Sequence, residues 1–306
     1  MPKKLKQSLP FVSAVILITA MAAAAELTGE REILFPEIAA IAAGSLISPG
    51  LKWNTSAPRL FILIALGSVM GLLIVLYLPM ALYLQMSLAF LSGSLMLLLS
   101  RTTFAPLISS VVLPVMLQTR SVIYPISAVI LTAAIVLLRS AFEHMGLIAP
   151  SHFEPEPKPD KRAFFDMLIR WLCGSLVIII AVFSGFKLAA APPLLVAFTE
   201  FWKKGSAAQK KPFAVGGVIF LCALIGALLR AAFAFLGIYL FIAAGVSVVL
   251  VFAIMKRTGL FIPPAAALSI LAFLIPSESV SVYPLLILTG TTVILLITKL
   301  RAKIIS

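Results

Sequence analysis

The sequence predicts an all-α, polytopic membrane protein with about twelve membrane segments, arranged as two parallel repeats of six segments each. Composition is the first observation, because 62% of the 306 residues are hydrophobic and the mean hydropathy is +1.15. A soluble domain of this size has too little interior to bury so much apolar surface. The other two observations are a regular series of apolar runs and a set of landmarks that occurs twice in the same order.

The apolar runs are separated by short polar gaps, and six fall in each half of the chain. In the first half they cover residues 9–27, 33–48, 60–78, 82–99, 104–118 and 122–139. In the second half they cover residues 167–184, 188–202, 213–236, 238–255, 260–275 and 280–298. The second and fifth runs of each half are short and contain prolines, whereas a straight membrane helix needs about 20 residues. We therefore expect half-helices or broken helices at these four places.

The first run resembles a secretory signal, because lysines precede it and alanines 22–25 end it. However, it is long enough to cross a bilayer, and the second half begins with a counterpart at residues 167–184. We interpret it as the mature first helix, with cleavage as the alternative.

The landmarks of the repeat are polar or proline residues at matching positions in the two halves. Arg101-Thr102 and Tyr124-Pro125 recur as Arg257-Thr258 and Tyr283-Pro284. Further matched pairs are Pro36 with Pro192, Pro58 with Pro212, and Gly71 with Gly226. The offset stays between 154 and 159 residues, which is typical of an internal structural repeat.

The positive charges predict the topology. If every run crosses the membrane, 20 of the 24 lysines and arginines lie on one side, and the other side holds Arg31, Arg120 and Lys187. The positive-inside rule then places both termini in the cytoplasm of a cell-membrane protein and requires an even number of crossings. Six crossings per half relate the halves by an axis along the membrane normal. The net charge of +13 is spread over the gaps, which argues against nucleic acid as a partner.

These boundaries divide the chain into a first membrane repeat (1–140), a cytoplasmic Pro-rich tether (141–163) and a second membrane repeat (164–306). Prolines alternate through residues 154–159, which favours an extended tether without a fold of its own. His144 and His152 lie in the tether and are interpreted as solvated residues. Cys173 and Cys222 lie in apolar runs and are interpreted as packing residues. We expect no metal and no cofactor.

The fifth run of the second half begins with Pro263 and Pro264, followed by Ala265 and Ala266. Prolines fit the first turn of a helix, and small residues let another backbone approach closely. This pattern predicts a short helix that starts inside the membrane, with its free N–H groups directed toward an anionic or polar group. The alternative is a Pro-started helix that packs against its neighbours and binds no ligand.

Prolines also mark the other short runs: Pro192 and Pro193 begin the second run of the second half, and Pro106 lies in the fifth run of the first half. By the predicted topology, short helices enter each half from both membrane faces. Their N-termini are expected to converge near the bilayer midplane, and these prolines complete the candidate substrate site with the residues of the fifth run.

Few ionisable or strongly polar residues fall within the runs, and such residues are commonly functional in membranes. Arg230 is a candidate for substrate binding or gating, with snorkelling to the interface as the alternative. Glu200 is a second candidate, with a place at the inner headgroup level as the alternative. Gln85 is a weaker polar candidate. Glu37 is a further ionisable residue at membrane depth, with an interfacial place near the outer end as the alternative.

The second half resembles the HPP family of integral membrane proteins. The resemblance rests on Ala-Pro-Pro-Leu-Leu-Val-Ala-Phe (191–198), Thr-Gly-Leu-Phe-Ile-Pro-Pro-Ala-Ala-Ala-Leu (258–268) and Tyr283-Pro284. Pro263 and Pro264 match the two prolines of the family's His-Pro-Pro motif, but Ile262 replaces its histidine. The first half resembles a more diverged copy, with only Pro106 in the matching region.

This resemblance implies a secondary transporter or permease for a small, nitrite-like anion. Its site is expected at the repeat interface near the midplane, with alternating access by rocking of the two halves. The expected partners are the lipid bilayer and a small anionic or polar solute. Because a two-repeat chain would be a fused form of a dimerising single-repeat protein, a homodimer of the present chain is also a candidate.

Two alternatives remain. Six-segment halves with small residues also resemble the membrane parts of fusaric-acid-resistance-type exporters, which predicts export of aromatic or other organic acids. A membrane-embedded enzyme for lipid-linked substrates would need clustered carboxylates, histidines or an activated nucleophile. Both histidines and both aspartates, Asp160 and Asp166, lie in or beside the tether, so we predict that the chain is not an enzyme.

Overall fold

The computed structural model describes residues 3–305 and the side chains of residues 8–304. Within that range every regular element is helical, so the all-helical prediction is confirmed. Among the described residues, eight helices are long and apolar enough to cross a membrane. Many of their large apolar side chains face outward, as at Leu137 and Leu176, where a lipid surface would cover them.

In chain order the helices are α1 (Lys3–Thr28), α2 (Glu37–Ala42), α3 (Ala57–Tyr77), α4 (Leu82–Ser100), α5 (Pro106–Leu117), α6 (Ile123–His144), α7 (Lys161–Phe183), α8 (Pro192–Phe201), α9 (Ala207–Lys210), α10 (Pro212–Leu236), α11 (Leu240–Thr258), α12 (Pro263–Leu271) and α13 (Tyr283–Ile305). Helix α2 continues as a π-helical segment, Ala43–Ile47, and single 3₁₀ turns cover Arg31–Ile33, Lys187–Ala190 and Ser277–Ser279. Each predicted apolar run contains one of these helices. The four short runs contain α2, α5, α8 and α12.

Prolines start three of the four short helices, as the sequence predicts. Pro106, Pro192 and Pro263 occupy the first turns of α5, α8 and α12, where a missing N–H removes no intrahelical bond. A further proline, Pro114, lies inside α5 and cannot donate to the carbonyl of Ser110 four residues earlier. That carbonyl instead accepts a hydrogen bond from a tyrosine of α6, as described next.

Two tyrosines anchor short helices α5 and α12 to the long helices that follow them. The hydroxyl of Tyr124, at the start of α6, donates to the Ser110 carbonyl at 3.0 Å. The hydroxyl of Tyr283, at the start of α13, donates to the Leu268 carbonyl at 2.7 Å. Both acceptors are carbonyls of a short helix, and both tyrosines are fully buried. Each bond therefore satisfies polar groups that would be costly to leave unpaired in an apolar interior.

The four short helices form the centre of the bundle. Helix α2 packs against α12 and α5 packs against α8, while α2 also contacts α5 and α8 contacts α12. All nine residues of α12 are buried, and so are all residues of α8 except Glu200. The long helices surround this group: α3 and α4 pack on α5, and α10 and α11 pack on α12.

Two matched glycines allow this close packing. A β-carbon on Gly71 in α3 would overlap the Val111 carbonyl oxygen of α5. A β-carbon on Gly226 in α10 would likewise overlap the Ser269 carbonyl oxygen of α12. Each long helix therefore touches the backbone of a short helix at a position where only glycine fits.

The first helix of each half packs against the other half. Helix α1 lies along α11, where the rings of Phe11 and Phe252 meet edge to face with centroids 5.9 Å apart. Helix α7 lies along α4, where the hydroxyls of Ser87 and Ser175 are 2.6 Å apart. The halves defined by the sequence are therefore interlocked through their first helices.

The bundle has two polar ends. The tether end consists of residues 48–56, 101–105 and 149–160. At this end the Asn54 carbonyl accepts from the Thr103 N–H at 3.1 Å, and the Asn54 side-chain amide donates to the Glu154 carbonyl at 2.6 Å. The distal end includes residues 29–36 and 118–122, which are joined by a hydrogen bond of 3.2 Å from the Thr119 hydroxyl to Glu32.

Residues 149–160 of the tether form neither helix nor strand, but they are held against the bundle. The Glu156 N–H donates to the Arg101 carbonyl at 2.9 Å, and Arg101 Nε donates back to the Glu156 carbonyl. Arg101 ends α4 with φ of 55°, a left-handed conformation that glycine (Gly259, φ of 67°) adopts at the matching end of α11. The energetic cost of this left-handed conformation is offset by the hydrogen bonds that Arg101 makes with the tether.

Candidate functional site

A polar cavity lies at the tether end. It has a volume of about 590 Å³ and is enclosed by the tether, by the loop before α5 and by the ends of α7, α8 and α13. Its charged lining residues are Arg101, Lys158, Arg170, Lys203 and Arg301, together with Glu156, Asp160, Asp166 and Glu200. Because cations and carboxylates alternate in its wall, the binding properties of this cavity depend on which of the charges are already paired.

One arginine of this wall is held by other residues through both of its terminal nitrogens. Arg301 forms an ion pair of 2.6 Å with Asp166, donates to the Trp202 carbonyl and lies over the Trp202 ring at 4.3 Å from its centroid. The indole N–H of Trp202 donates to the second oxygen of Asp166 at 3.0 Å. These three side chains form a closed network that ties α7, α8 and α13 together.

Two cations of the same wall are not engaged. Arg170 lies one helical turn after Asp166, but that carboxylate is taken by Arg301, and no hydrogen bond or ion pair of Arg170 occurs within residues 3–305. Lys203 likewise forms no hydrogen bond or ion pair in the described part of the chain. Desolvation by the cavity walls lowers the pKa of Lys203, and the carboxylate of Glu200 opposes that shift. Both cations therefore keep N–H groups available for an anion, while Asp166 stays near Arg170, and Glu200 and Glu156 stay near Lys203.

A smaller cavity of about 200 Å³ adjoins the first one. Thr103, Glu200 and Lys203 line both cavities, and Ile262 lines the smaller one. Glu200 is fixed there because its carboxylate accepts from the indole N–H of Trp53 at 2.8 Å. The larger cavity also reaches Ala105, which precedes α5, whereas Ile262 precedes α12. The starts of two central short helices therefore face the tether-end cavities.

A third cavity, of about 380 Å³, opens at the distal end. Its wall includes Arg31, Arg120 and Glu32, and its inner wall includes Leu34 and Tyr124. Lys187 is also at this end, where its ammonium group donates to the Met116 carbonyl at 3.2 Å. Polar cavities therefore lie at both ends of the group of short helices.

Glu37 is a residue whose position the sequence did not predict. The sequence left open both a place at membrane depth and an interfacial place, and Glu37 is only 1% exposed, because α1, α5, α6 and α12 cover α2. One carboxyl oxygen accepts from the hydroxyl of Ser109 in α5, and the other oxygen has no partner among the described residues. The only sequence signal was an acidic residue next to a proline inside an apolar run.

The predicted site prolines and alanines are brought together but do not line the cavities. Pro106, Pro192, Pro193, Pro263, Pro264, Ala265 and Ala266 are all buried in the group formed by α5, α8 and α12. They form a packed wall between the two polar ends. Glu200, at the end of α8, is the predicted site residue that lines the tether-end cavities.

Gln85 lies at the distal end, away from the tether-end cavities. Its amide donates to the Leu78 carbonyl at 2.7 Å, and its oxygen accepts from Gln118 at 2.6 Å. These bonds fix the loop between α3 and α4 to the end of α5. Both polar atoms of the Gln85 side chain are therefore used in holding the protein's own loops together.

Arg230 lies apart from the short-helix group in an outward-facing groove of about 500 Å³, which is also lined by Ser277 and Pro284. Its guanidinium lies over the Phe233 ring at 5.0 Å from the centroid. Neighbouring Leu228 is 59% exposed, so this surface faces the surroundings of the bundle. A role for Arg230 in binding stays a prediction, and its place fits the alternative of a side chain that reaches toward an interface.

Arg170 was missed as a candidate site residue, since the sequence analysis treated it only as a topological charge. A usable signal was present, because Asp166 and Arg170 are one turn apart in α7 and both lie beyond the basic first turn of that helix. Which of them stays unpaired depends on Arg301, far along the chain. The chain matches no protein-family model, no curated protein and no solved structure, so its function is inferred from the geometry described above.

Proposed function

We propose that the chain is a secondary transporter for a small anion, which passes between the short helices α2, α5, α8 and α12. The observation that carries this proposal is the free Arg170 and Lys203 in a cavity at the start of α5. Two unpaired cations beside a carboxylate in a partly enclosed cavity suit a small anion better than a neutral solute.

The proposed topology has twelve segments in two parallel repeats, with both termini in the cytoplasm of a cell membrane. Matched contacts support it: Gly71 and Gly226 contact the corresponding short helices, and Tyr124 and Tyr283 anchor those same helices. The short helices would cross together with the extended residues that precede them. In this arrangement the tether end is cytoplasmic and the distal end is external.

The resemblance to the HPP family adds a second line of support for a nitrite-like substrate. The starts of α5 and α12 also carry the positive ends of their helix dipoles toward the tether-end cavities. We infer that the anion enters one of these cavities and crosses the packed wall of prolines and alanines. Small shifts of the short helices would open that wall to one end at a time.

Counterflow of labelled nitrite into proteoliposomes tests this function. We expect Arg170→Gln to reduce the apparent affinity for nitrite by roughly 10- to 150-fold, because a lost charge-assisted contact is worth about 1.5–3 kcal/mol. Arg162→Gln is the matched control, since Arg162 is exposed on the same helix, and it should transport like the wild type. If the wild-type protein moves neither nitrite nor nitrate, the anion proposal is wrong.

A second candidate is export of aromatic or other organic acids. The size of the larger cavity favours it, because about 590 Å³ far exceeds the volume of nitrite, and Trp202 lies in its wall. In the same proteoliposomes, movement of benzoate-like carboxylates without movement of inorganic anions would select this candidate.

A further inference from the structure

The carboxyl group of Glu37 is buried in the centre of the bundle without a cationic partner. No hydrogen bond or ion pair to a lysine, arginine or histidine reaches it within residues 3–305. Its carboxyl accepts from the hydroxyl of Ser109 and from the backbone N–H of Glu37 itself, both of which are uncharged donors. An ionised carboxylate in such surroundings is costly, whereas a neutral carboxyl is tolerated far better. The surroundings therefore favour the protonated form of Glu37.

The elements packed against α2 present few groups that could alter this balance. Helix α5 presents Ser109, and α6 presents Tyr124, whose hydroxyl is used by the Ser110 carbonyl. Helix α12, residues 263–271, contains no ionisable side chain. In α1 the nearest acid, Glu26, accepts from the N–H groups that begin α11. The charged groups of the preceding turn, Arg31 and Glu32, line the distal cavity.

Glu37 also lies between the two polar ends. Toward the distal end, Leu34 precedes it by three residues and lines the distal cavity together with Tyr124. Toward the tether end, its partner Ser109 lies one turn into α5, and Ala105 before that helix lines the larger cavity. About one turn of helix, roughly 5.4 Å of rise, separates Ala105 from Ser109. A small displacement of α2 against α5 would therefore expose Glu37 to water from one end or the other.

We propose that Glu37 is a proton-binding site that couples anion movement to proton movement in the same direction; this inference rests on the proposed function. A hydronium ion in the distal cavity gives its proton to the Glu37 carboxylate. After the short helices shift, the carboxyl returns that proton to water in the tether-end cavity. The proton is gained and lost once per cycle, and no other bond changes.

The chemical reason for coupling is charge repulsion in a medium of low polarity. An ionised Glu37 would repel an anion that passes between α2 and α5, and neutralisation by a proton removes that barrier. One proton with one monovalent anion also carries no net charge across the membrane. The anion therefore crosses with the protonated form of Glu37.

Gradient-driven uptake tests this coupling. Proteoliposomes with an acidic exterior and an alkaline interior are given labelled nitrate, which, unlike nitrite, does not leak across as a neutral acid. The wild type should accumulate nitrate above its external concentration. Glu37→Gln, which is neutral at every pH, should lose this accumulation while counterflow between equal pH values persists. Glu30→Gln is the control, because Glu30 is exposed and does not line the distal cavity, and it should still accumulate nitrate. Accumulation by Glu37→Gln equal to that of the wild type would overturn the proposal.

An infrared measurement separates this proposal from the transport function. Reconstituted wild-type protein should show a protonated-carboxyl band at neutral pH that is missing in Glu37→Gln and shifted in Ser109→Ala. The presence of the band without any anion transport would mean that the transport function fails while the proton site stands. A wild-type spectrum at neutral pH without that band would refute the proton site, whatever the protein transports.

Discussion

At the scale of single residues, the tether end holds cations with different tasks. Arg301 is committed to Asp166 and Trp202, and Arg101 is committed to the tether. Arg170 and Lys203 have no such partners. The paired arginines hold the cavity together, so their removal should affect stability, whereas removal of the unpaired cations should affect ligand binding.

The lowered pKa of Lys203 makes a pH-dependent prediction. Lys203 loses its proton at a lower pH than an ordinary lysine, because the charged form is desolvated. The affinity for the anion should therefore fall as the pH rises through this lowered pKa. Lys203→Gln should bind nitrite more weakly than the wild type at neutral pH, and its affinity should no longer change over this pH range. Nitrite titrations across alkaline pH, with Lys204→Gln as the control, measure the effect. An unchanged pH profile in Lys203→Gln would show that Lys203 does not contact the anion.

At the scale of elements, the short helices depend on backbone contact with their long neighbours. Helix α12 has nine residues, too few for a stable helix by itself in water, and its stability comes from packing. Gly226 is the point at which α10 meets the α12 backbone. This contact, together with the Tyr283 bond, sets the position of α12.

We expect Gly226→Ala to lower the free energy of unfolding by about 1–3 kcal/mol, because the added methyl group overlaps the Ser269 carbonyl. Gly217→Ala is the control on the same helix: nothing lies near its β-carbon position, and alanine favours a helix there. Thermal unfolding in detergent measures both variants. Equal unfolding temperatures for Gly226→Ala and the wild type would contradict the close contact.

Much of the element structure could be predicted from the prolines and apolar runs, since Pro106, Pro192 and Pro263 start short helices where expected. The burial of Glu37 could not be predicted, because an acidic residue at the start of a short helix is equally compatible with a place at the membrane interface. Pairing of helices could not be predicted either, since outward and inward faces are both apolar and carry no distinguishing pattern. Arg170 is free only because Asp166 pairs with Arg301, a contact across 135 residues.

At the scale of the whole molecule, the exchanged first helices make the two halves interdependent. Helix α1 packs on α11, and α7 packs on α4. If one half rocks against the other, each half must therefore move together with the first helix of the opposite half. The moving bodies of a transport cycle would therefore not coincide with the halves of the sequence. The tether is the only covalent link between the halves, but it is not their only connection.

This arrangement predicts that a break in the tether does not separate the protein. Co-expressed fragments of residues 1–150 and 151–306 should purify together through a tag on either one. Adding Gly174→Leu, which would overlap the Phe90 ring of α4, should weaken their association. Independent purification of two folded fragments would contradict the exchange of first helices.

The exchange of first helices also bears on how the protein is made. Synthesis proceeds from the N-terminus, so α1 enters the bilayer long before residues 240–258 of α11 exist. Glu26 then has no α11 N–H groups to accept from, and Phe11 has no Phe252 to pack against. In a nascent chain that stops before α11, the first helix therefore lacks the helix against which it packs. Cellular quality control should remove such truncated chains whole, because the first half alone is not a finished folding unit.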